Sequence, residues 1–199
     1  MKCKILLLAL ALIFSVSLCA CTGCKSEPPK KEAVAVGGIV LENTISADRE
    51  FMFAHYATNY VWYESQILLQ EAVNAKTCAG TIASVVNVFQ FVDVEKQPRV
   101  ILSTYEVGKP YGTPAQIPDF WMGDSPINDA PINYTFQQAF ERLKQTNNIV
   151  LPDSRCCVLR KPVAPGDIGK HPHYIFGNSK RWVKVDAVTG EVTSESDHF

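Results

Sequence analysis

Thr135-Phe-Gln-Gln-Ala-Phe-Glu-Arg-Leu-Lys144 is the stretch that decides the fold class. Thr135 followed three residues later by Gln138 is a capping box, in which each side chain satisfies a backbone N–H of the first helical turn. Phe136, Ala139, Phe140 and Leu143 recur at i, i+3, i+4 and i+7, with Gln137, Glu141, Arg142 and Lys144 opposite. This is an amphipathic helix with one face to bury. Asn147-Asn148 can stop it. Short β-prone segments follow at Arg155–Lys161, Tyr174–Gly177, Arg181–Asp186 and Glu191–Ser194. Gly177-Asn178-Ser179 and Val188-Thr189-Gly190 supply turns between them. The C-terminal part therefore reads as a helix and then an antiparallel meander.

Moving toward the N-terminus, Gly108–Asn133 holds Pro110, Pro114, Pro118, Pro126 and Pro131, together with the rings of Tyr111, Phe120 and Trp121. A stretch of this length and composition inside a domain is commonly functional or a linker. Its rings either pin the loop to the core or present an aromatic surface to a partner. Tyr111, Phe120 and Trp121 are thus the candidate partner-binding residues. Before it, Ile82–Val92 and Val100–Val107 are β-branched and aromatic and flank the turn-like Asp93–Pro98, which predicts a hairpin. Upstream again, Ser46 and Asp48 are capping candidates for a helix from Ala47 to about Asn74, free of Gly and Pro. Met52, Tyr56, Tyr60, Tyr63 and Ile67 make one stripe on it, and Ala57, Val61, Leu68 and Ala72 the next. Phe51, Trp62 and Leu69 fall near its polar side, so a sheet or a partner must cover them as well. Helix then strands occurs twice. The expected fold is α+β, with helices packed on one face of an antiparallel sheet, as two helix-plus-meander modules at 47–133 and 134–199.

The 199 residues are 47% hydrophobic and 20% charged, which excludes a collagen, a coiled coil or a mainly disordered chain. A net charge of −1 provides no electrostatic footprint for nucleic acid. At the N-terminus, Lys2 and Lys4 precede an apolar run from Ile5 to Leu18. As a helix that run spans about 21 Å, short of the ~30 Å hydrocarbon core, so it reads as an export signal over 1–20. Leu18-Cys19-Ala20-Cys21 resembles the lipobox of bacterial lipoproteins. The resemblance implies cleavage after Ala20, a diacylglycerol on the Cys21 sulfur and an acylated amine, hence a lipid-bilayer anchor. Cys24 is a second candidate but lacks an aliphatic residue three places earlier. The charged, Pro-rich and then Gly-rich residues that follow read as a flexible tether over 21–46.

Export favours disulfides over free thiols. Cys78 could bridge to Cys156 or Cys157, leaving one thiol buried or paired with Cys24. Adjacent residues on a strand point to opposite faces, so Cys156 and Cys157 should not act together. His171-Pro-His173 could chelate a metal with a third ligand, yet a solvated loop is the plainer reading and no metal site is expected. His198, next to the C-terminal residue, is expected to be frayed. Glu64 and Glu71, seven apart, would share one helix face and could flank a scissile bond, with ion pairs to Arg142, Arg155 or Arg160 as the structural alternative. There is no P-loop, GxGxxG, GxSxG or HExxH, so no cofactor is indicated.

Val183-Lys-Val-Asp-Ala-Val-Thr-Gly-Glu191, with the preceding helix and strands, resembles the PepSY family of bacterial envelope modules and peptidase propeptides over about residues 134–194. Asp186, Thr189, Gly190 and Glu191 carry the likeness. It implies binding or inhibition of a protein partner, often a peptidase, without catalysis. The sequence thus leads to a lipid-anchored envelope protein, periplasmic or at the cell surface, that binds a protein or peptide. An envelope hydrolase and a structural subunit of an envelope assembly are the alternatives. Intact mass after membrane extraction of the expressed full chain should show a species that starts at Cys21 and carries acyl mass. A soluble, non-acylated product would defeat the lipoprotein reading.

Overall fold

The computed structural model describes residues 38–56, 60–93, 95–121, 125–128, 130–162 and 171–196. Cys21, Cys24, the export signal, the tether as far as residue 37, and His198 lie outside these residues. The elements are α1 (Leu41–Tyr56), β1 (Tyr60–Leu69), β2 (Ile82–Val92), β3 (Pro98–Glu106), β4 (Ala115–Ile117), α2 (Phe136–Gln145), β5 (Cys156–Arg160), β6 (His173–Asn178), β7 (Arg181–Asp186) and β8 (Val192–Ser196). The strands form one eight-stranded antiparallel sheet in the order β4-β3-β2-β1-β5-β6-β7-β8, and both helices contact it. The molecule is an α+β fold. β1 and β5 pair with each other, so each half of the chain contributes four strands to a continuous sheet.

The C-terminal half matches its sequence pattern closely. Thr135 Oγ1 accepts from the Gln138 amide, and the Gln138 side chain accepts from the Thr135 amide at 2.9 Å. Phe136, Ala139, Phe140 and Leu143 are buried, and the Phe136 ring lies 6.0 Å from those of Tyr174 and Phe176. The turn between β7 and β8 explains the Asp-Ala-Val-Thr-Gly-Glu motif. Asp186 Oδ1 accepts from the amides of Val188 (2.7 Å) and Thr189 (3.0 Å), and Thr189 Oγ1 accepts from the Glu191 amide. Gly190 has φ of +73°, and a Cβ there would come within 2.5 Å of the Tyr134 ring. Only glycine meets both demands.

The first half departs from expectation. The helix expected over Ala47–Asn74 is instead α1, which ends at Tyr56, followed by β1. α1 also starts earlier, so Leu41–Ser46, expected in the tether, form its first turns, and Ser46 and Asp48 lie inside it rather than at its cap. Its buried stripe is Leu41, Thr44, Ile45, Asp48 and Met52. β1 hides its period of two for a physical reason. A bulge between Trp62 and Glu64 shifts the register, and both of these residues are buried although they lie on opposite sides of the strand. Past the bulge the alternation returns, with Ser65, Ile67 and Leu69 buried and Gln66 and Leu68 exposed.

Asp48 explains how α1 is held. It is 1% exposed, and its carboxyl accepts from Asn87 Nδ2 (2.7 Å), Ser103 Oγ (2.6 Å), Tyr105 OH (2.6 Å) and Tyr111 OH (3.2 Å). Asn87 continues the network to Ser65 Oγ and Thr44 Oγ1. Burial and the Asp48 charge push both tyrosine hydroxyls far above their ordinary range, so they stay protonated donors. The two helices meet at their N-termini, where Glu42 accepts from the Phe136 amide at 2.7 Å. A carboxylate beside the positive end of a helix macrodipole is stabilising. Asp48→Ala strands several buried donors and should lower unfolding free energy by about 3 kcal/mol or more in urea denaturation. Exposed Asp153→Ala should change it by less than about 0.5 kcal/mol.

Candidate functional site

The ladder registers sort the strand residues into two alternating sets. Val85, Asn87, Ser103 and Tyr105 share a set with Ile67, Cys157, Tyr174 and Phe176. α1 packs on the first four through Asp48 and its neighbours, and α2 on Tyr174 and Phe176. The opposite set holds the candidate site. One row of directly paired residues crosses seven strands there, through Ala115, Leu102, Val88, Glu64, Arg160, His173 and Asp186. Its centre is polar and largely buried, with Glu64 5% and His173 7% exposed.

Two candidate groups that are far apart in sequence therefore lie in one row of the sheet, with Arg160 between them. Glu64 faces Arg160 across the β1–β5 ladder, and Arg160 faces His173 across β5–β6. Gln66 Nε2 donates to Glu64 Oε1 at 2.7 Å. Asp186 Oδ2 accepts from His171 Nδ1 at 2.8 Å and lies 3.9 Å from His173 Nε2. His173 Nδ1 lies 2.9 Å from the His171 carbonyl oxygen, which can only accept. Nδ1 therefore carries the proton, and in the neutral ring Nε2 holds a lone pair facing the Asp186 side. Burial depresses the His173 pKa below its ordinary value, against the opposing pull of the His171 carbonyl and Asp186. Burial alone would raise the Asp186 carboxyl, but hydrogen bonds from His171 and the Thr189 and Val188 amides outweigh it and hold it below its usual range. No group of three potential metal ligands is assembled among the described residues.

Glu71 does not join Glu64. It lies past the end of β1 and accepts from Thr77 Oγ1 at 3.3 Å, so the shared helix face expected for the two does not exist. The three loop aromatics also separate. Tyr111 turns inward to Ser103 and Asp48. Trp121 is half-buried, and its amide donates to Gln90 Oε1 at 2.9 Å. Phe120 stands 62% exposed. β4, unforeseen within this Pro-rich stretch, pairs with β3 and sets Ile117 beside Val100, which in turn pairs with Gln90. The exposed side chain of Ile117 and the ring of Phe120 thus edge one apolar corner of the sheet.

Cys78, Cys156 and Cys157 are free thiols, and no bridge joins Cys78 to either of the others. Cys78 donates to the Glu71 carbonyl, whereas Cys157 is sealed in the core opposite Ile67. Burial, with Cys156 next to it, pushes the Cys157 thiol well up. Cys156 is exposed on the other face, as strand geometry requires. There it borders a hollow of about 280 Å³ over β2, β1 and β5, lined also by Gln66, Leu68, Val86 and Val158. Comparison with family models, curated proteins and solved structures finds no match to this chain.

The titratable row has a readable consequence. His173 binds a proton less readily when folded, so its contribution to stability is complete above pH ~6.5 and shrinks as pH falls below it. Asp186 is held ionised in the fold, so its contribution is present above pH ~4 and is lost as pH drops through its lowered folded value. Urea midpoints should therefore fall in two stages on acidification. His173→Gln should flatten the upper stage and Asp186→Asn the lower.

Proposed function

We propose that the chain is an exported, lipid-anchored envelope protein that holds a protein or peptide partner without covalent chemistry, as an inhibitor or modulator of a peptidase. The anchor is Cys21, and the folded body stands off the bilayer on the residues that precede α1. The body is two helix-plus-meander modules of PepSY-like order, α1 with β1–β4 and α2 with β5–β8, whose helices share one face of the sheet. The observation that carries the binding reading is the other face. No helix of the described residues packs on it, and it bears exposed Leu68 (37%), Ile117 (40%) and Val92 (50%) with the hollow between β2 and β5. Phe120 stands at its corner. Isolated exposed apolar residues are ordinary, but several on one face with a concavity mark an interaction surface.

Face-on capture fits better than strand addition at β4. β4 is three residues long and flanked by Pro114 and Pro118, which blunt it as a pairing edge. A hydrolase is the second reading, favoured by one observation, the His171–Asp186 pair beside the Nε2 lone pair of His173. None of the helices in the described residues is long and apolar enough to cross a membrane.

The full chain, extracted from its own membranes in mild detergent, should retain a stoichiometric partner. Phe120→Asp should reduce that retention by at least about tenfold with an unchanged thermal midpoint, because the ring is exposed. Phe53→Asp on α1, a ring of similar exposure, should leave it intact. Equal retention by all three proteins would overturn this surface. Peptide hydrolysis that disappears in His173→Gln would favour the enzyme instead.

A further inference from the structure

The two ends of the sheet are built differently. At one end β4 is three residues long and stands between Pro114 and Pro118, so it is a poor template for another strand. At the other end β8 runs from Val192 to Ser196 in unbroken register with β7, from the Val185–Val192 pair to the Arg181–Ser196 pair. Among the described residues no strand pairs with its outer side. β8 has no proline, no lysine and no bulge, the usual guards of a sheet edge. Thr193 and Ser194 are exposed.

The turn before β8 fixes which of its main-chain groups face outward. The Asp186 amide donates to the Glu191 carbonyl at 2.9 Å, and the Asp186 carbonyl accepts from the Gly190 amide at 2.9 Å. Asp186 therefore directs both main-chain groups toward the β8 side. The next amide, of Ala187, donates the other way, to the Pro172 carbonyl just before β6. Hydrogen-bonded and non-bonded pairs alternate along an antiparallel ladder. Lys184–Thr193 and Trp182–Glu195 are thus the bonded pairs, and the N–H and C=O groups of Val192, Ser194 and Ser196 point away from β7. Both ends and the midpoint of β8 face outward, so the pattern is symmetric about Ser194.

A strand with that pattern is its own complement. Set antiparallel to a second β8 about a two-fold axis at Ser194, Val192 meets Ser196, Ser194 meets Ser194, and every outward N–H finds a C=O. Glu195, the one charged residue of β8, falls opposite Thr193, so no like charges are directly paired. Thr193 and Ser194 are short and polar, so β8 offers main-chain bonds without the side-chain anchors that select a foreign peptide. The axis stands perpendicular to the sheet, which keeps the helices of both copies on one face. The assembly also closes. Its sheet would run from β4 to β8 in one copy and from β8 to β4 in the next, with the proline-flanked strands at both outer edges.

We infer that β8 is a dimerisation edge, and that the strand added to it is the β8 of a second copy of this chain, paired antiparallel about Ser194. The seam uses neither the lipid anchor nor Phe120, so it stands or falls apart from the peptidase-binding reading.

The test measures the protein mass of the purified full chain by sedimentation equilibrium in density-matched detergent, over a series of protein concentrations. The unaltered chain should pass from monomer to dimer and no further. Ser194→Pro removes an outward N–H from each copy and none that is donated to β7, and should weaken the dimer by at least about tenfold with little change in thermal midpoint. Ser194→Lys sets like charges on the axis and should weaken it as well. Mixing the Ser194→Lys chain with the Ser194→Glu chain should restore association, as a mixed dimer. Should Ser194→Pro fail to fold, the Lys and Glu variants decide alone. The inference is overturned if the unaltered chain stays monomeric throughout, if the dimer withstands Ser194→Lys or folded Ser194→Pro, or if the mixed chains associate no better than either alone. A monomer whose Ser194 amide resists exchange with deuterium would show the edge filled by another segment, which also overturns it.

Discussion

The antiparallel ladder between β1 and β5 is the join on which both halves of the molecule depend. Glu64 through Leu68 pair with Arg160 through Cys156, and no other strand pair connects β1–β4 with β5–β8. Apart, the halves would expose the edges of β1 and β5, and their pairing covers both. The join also dictates what each face must carry. On one side Ile67 meets Cys157 and Ser65 meets Leu159, beneath the helices. On the other, Glu64 meets Arg160, and directly paired opposite charges favour this register over its neighbours. A slip of one residue would put Glu64 into the core and Ile67 outside. The polar row is thus better understood as a specification of register than as a large stabilising term, since desolvation offsets most of the attraction between buried charges.

Different parts of the Pro-rich segment face the core and the solvent. Tyr111 joins the Asp48 network, where its hydroxyl completes the coordination of a buried carboxyl. Trp121 is tied through its backbone to Gln90. Ile127 donates its amide to the Trp62 carbonyl, and Asn128 accepts from the Trp62 amide, so the segment closes the part of β1 that β5 does not reach. With both ends fastened in this way, Phe120 is presented to solvent on a constrained support rather than on a free loop. A side chain held in place before binding loses less entropy on binding.

The C-terminal half was legible because each local signal agreed with the next. The capping box, the i, i+3, i+4, i+7 stripe and the Thr-Gly turn all pointed to one arrangement, and α2 and β5–β8 follow it within a residue or two. β2 was legible to its ends from its β-branched and aromatic residues. β1 was not, because its bulge left apolar residues at spacings that a helix also accommodates. The warning was present in the sequence. Trp62 and Leu69 fell on the polar side of the expected helix, and both are core residues of a strand. The site was half legible. Glu64, His171 and His173 each stood out alone, but their meeting depends on the β1–β5–β6 registers, which no single segment encodes.

The junction between the halves is also the place where a hollow is hardest to avoid. Each helix covers its own set of strands, and the two approach each other only at their N-termini, through Glu42 and the Phe136 amide. Strands β1 and β5 beneath that gap must still be shielded from water. The segment through Asn128, Ala130 and Ile132 does this together with Arg49, which lies over the Trp62 ring, and Trp62 and Leu159 are at most 1% exposed.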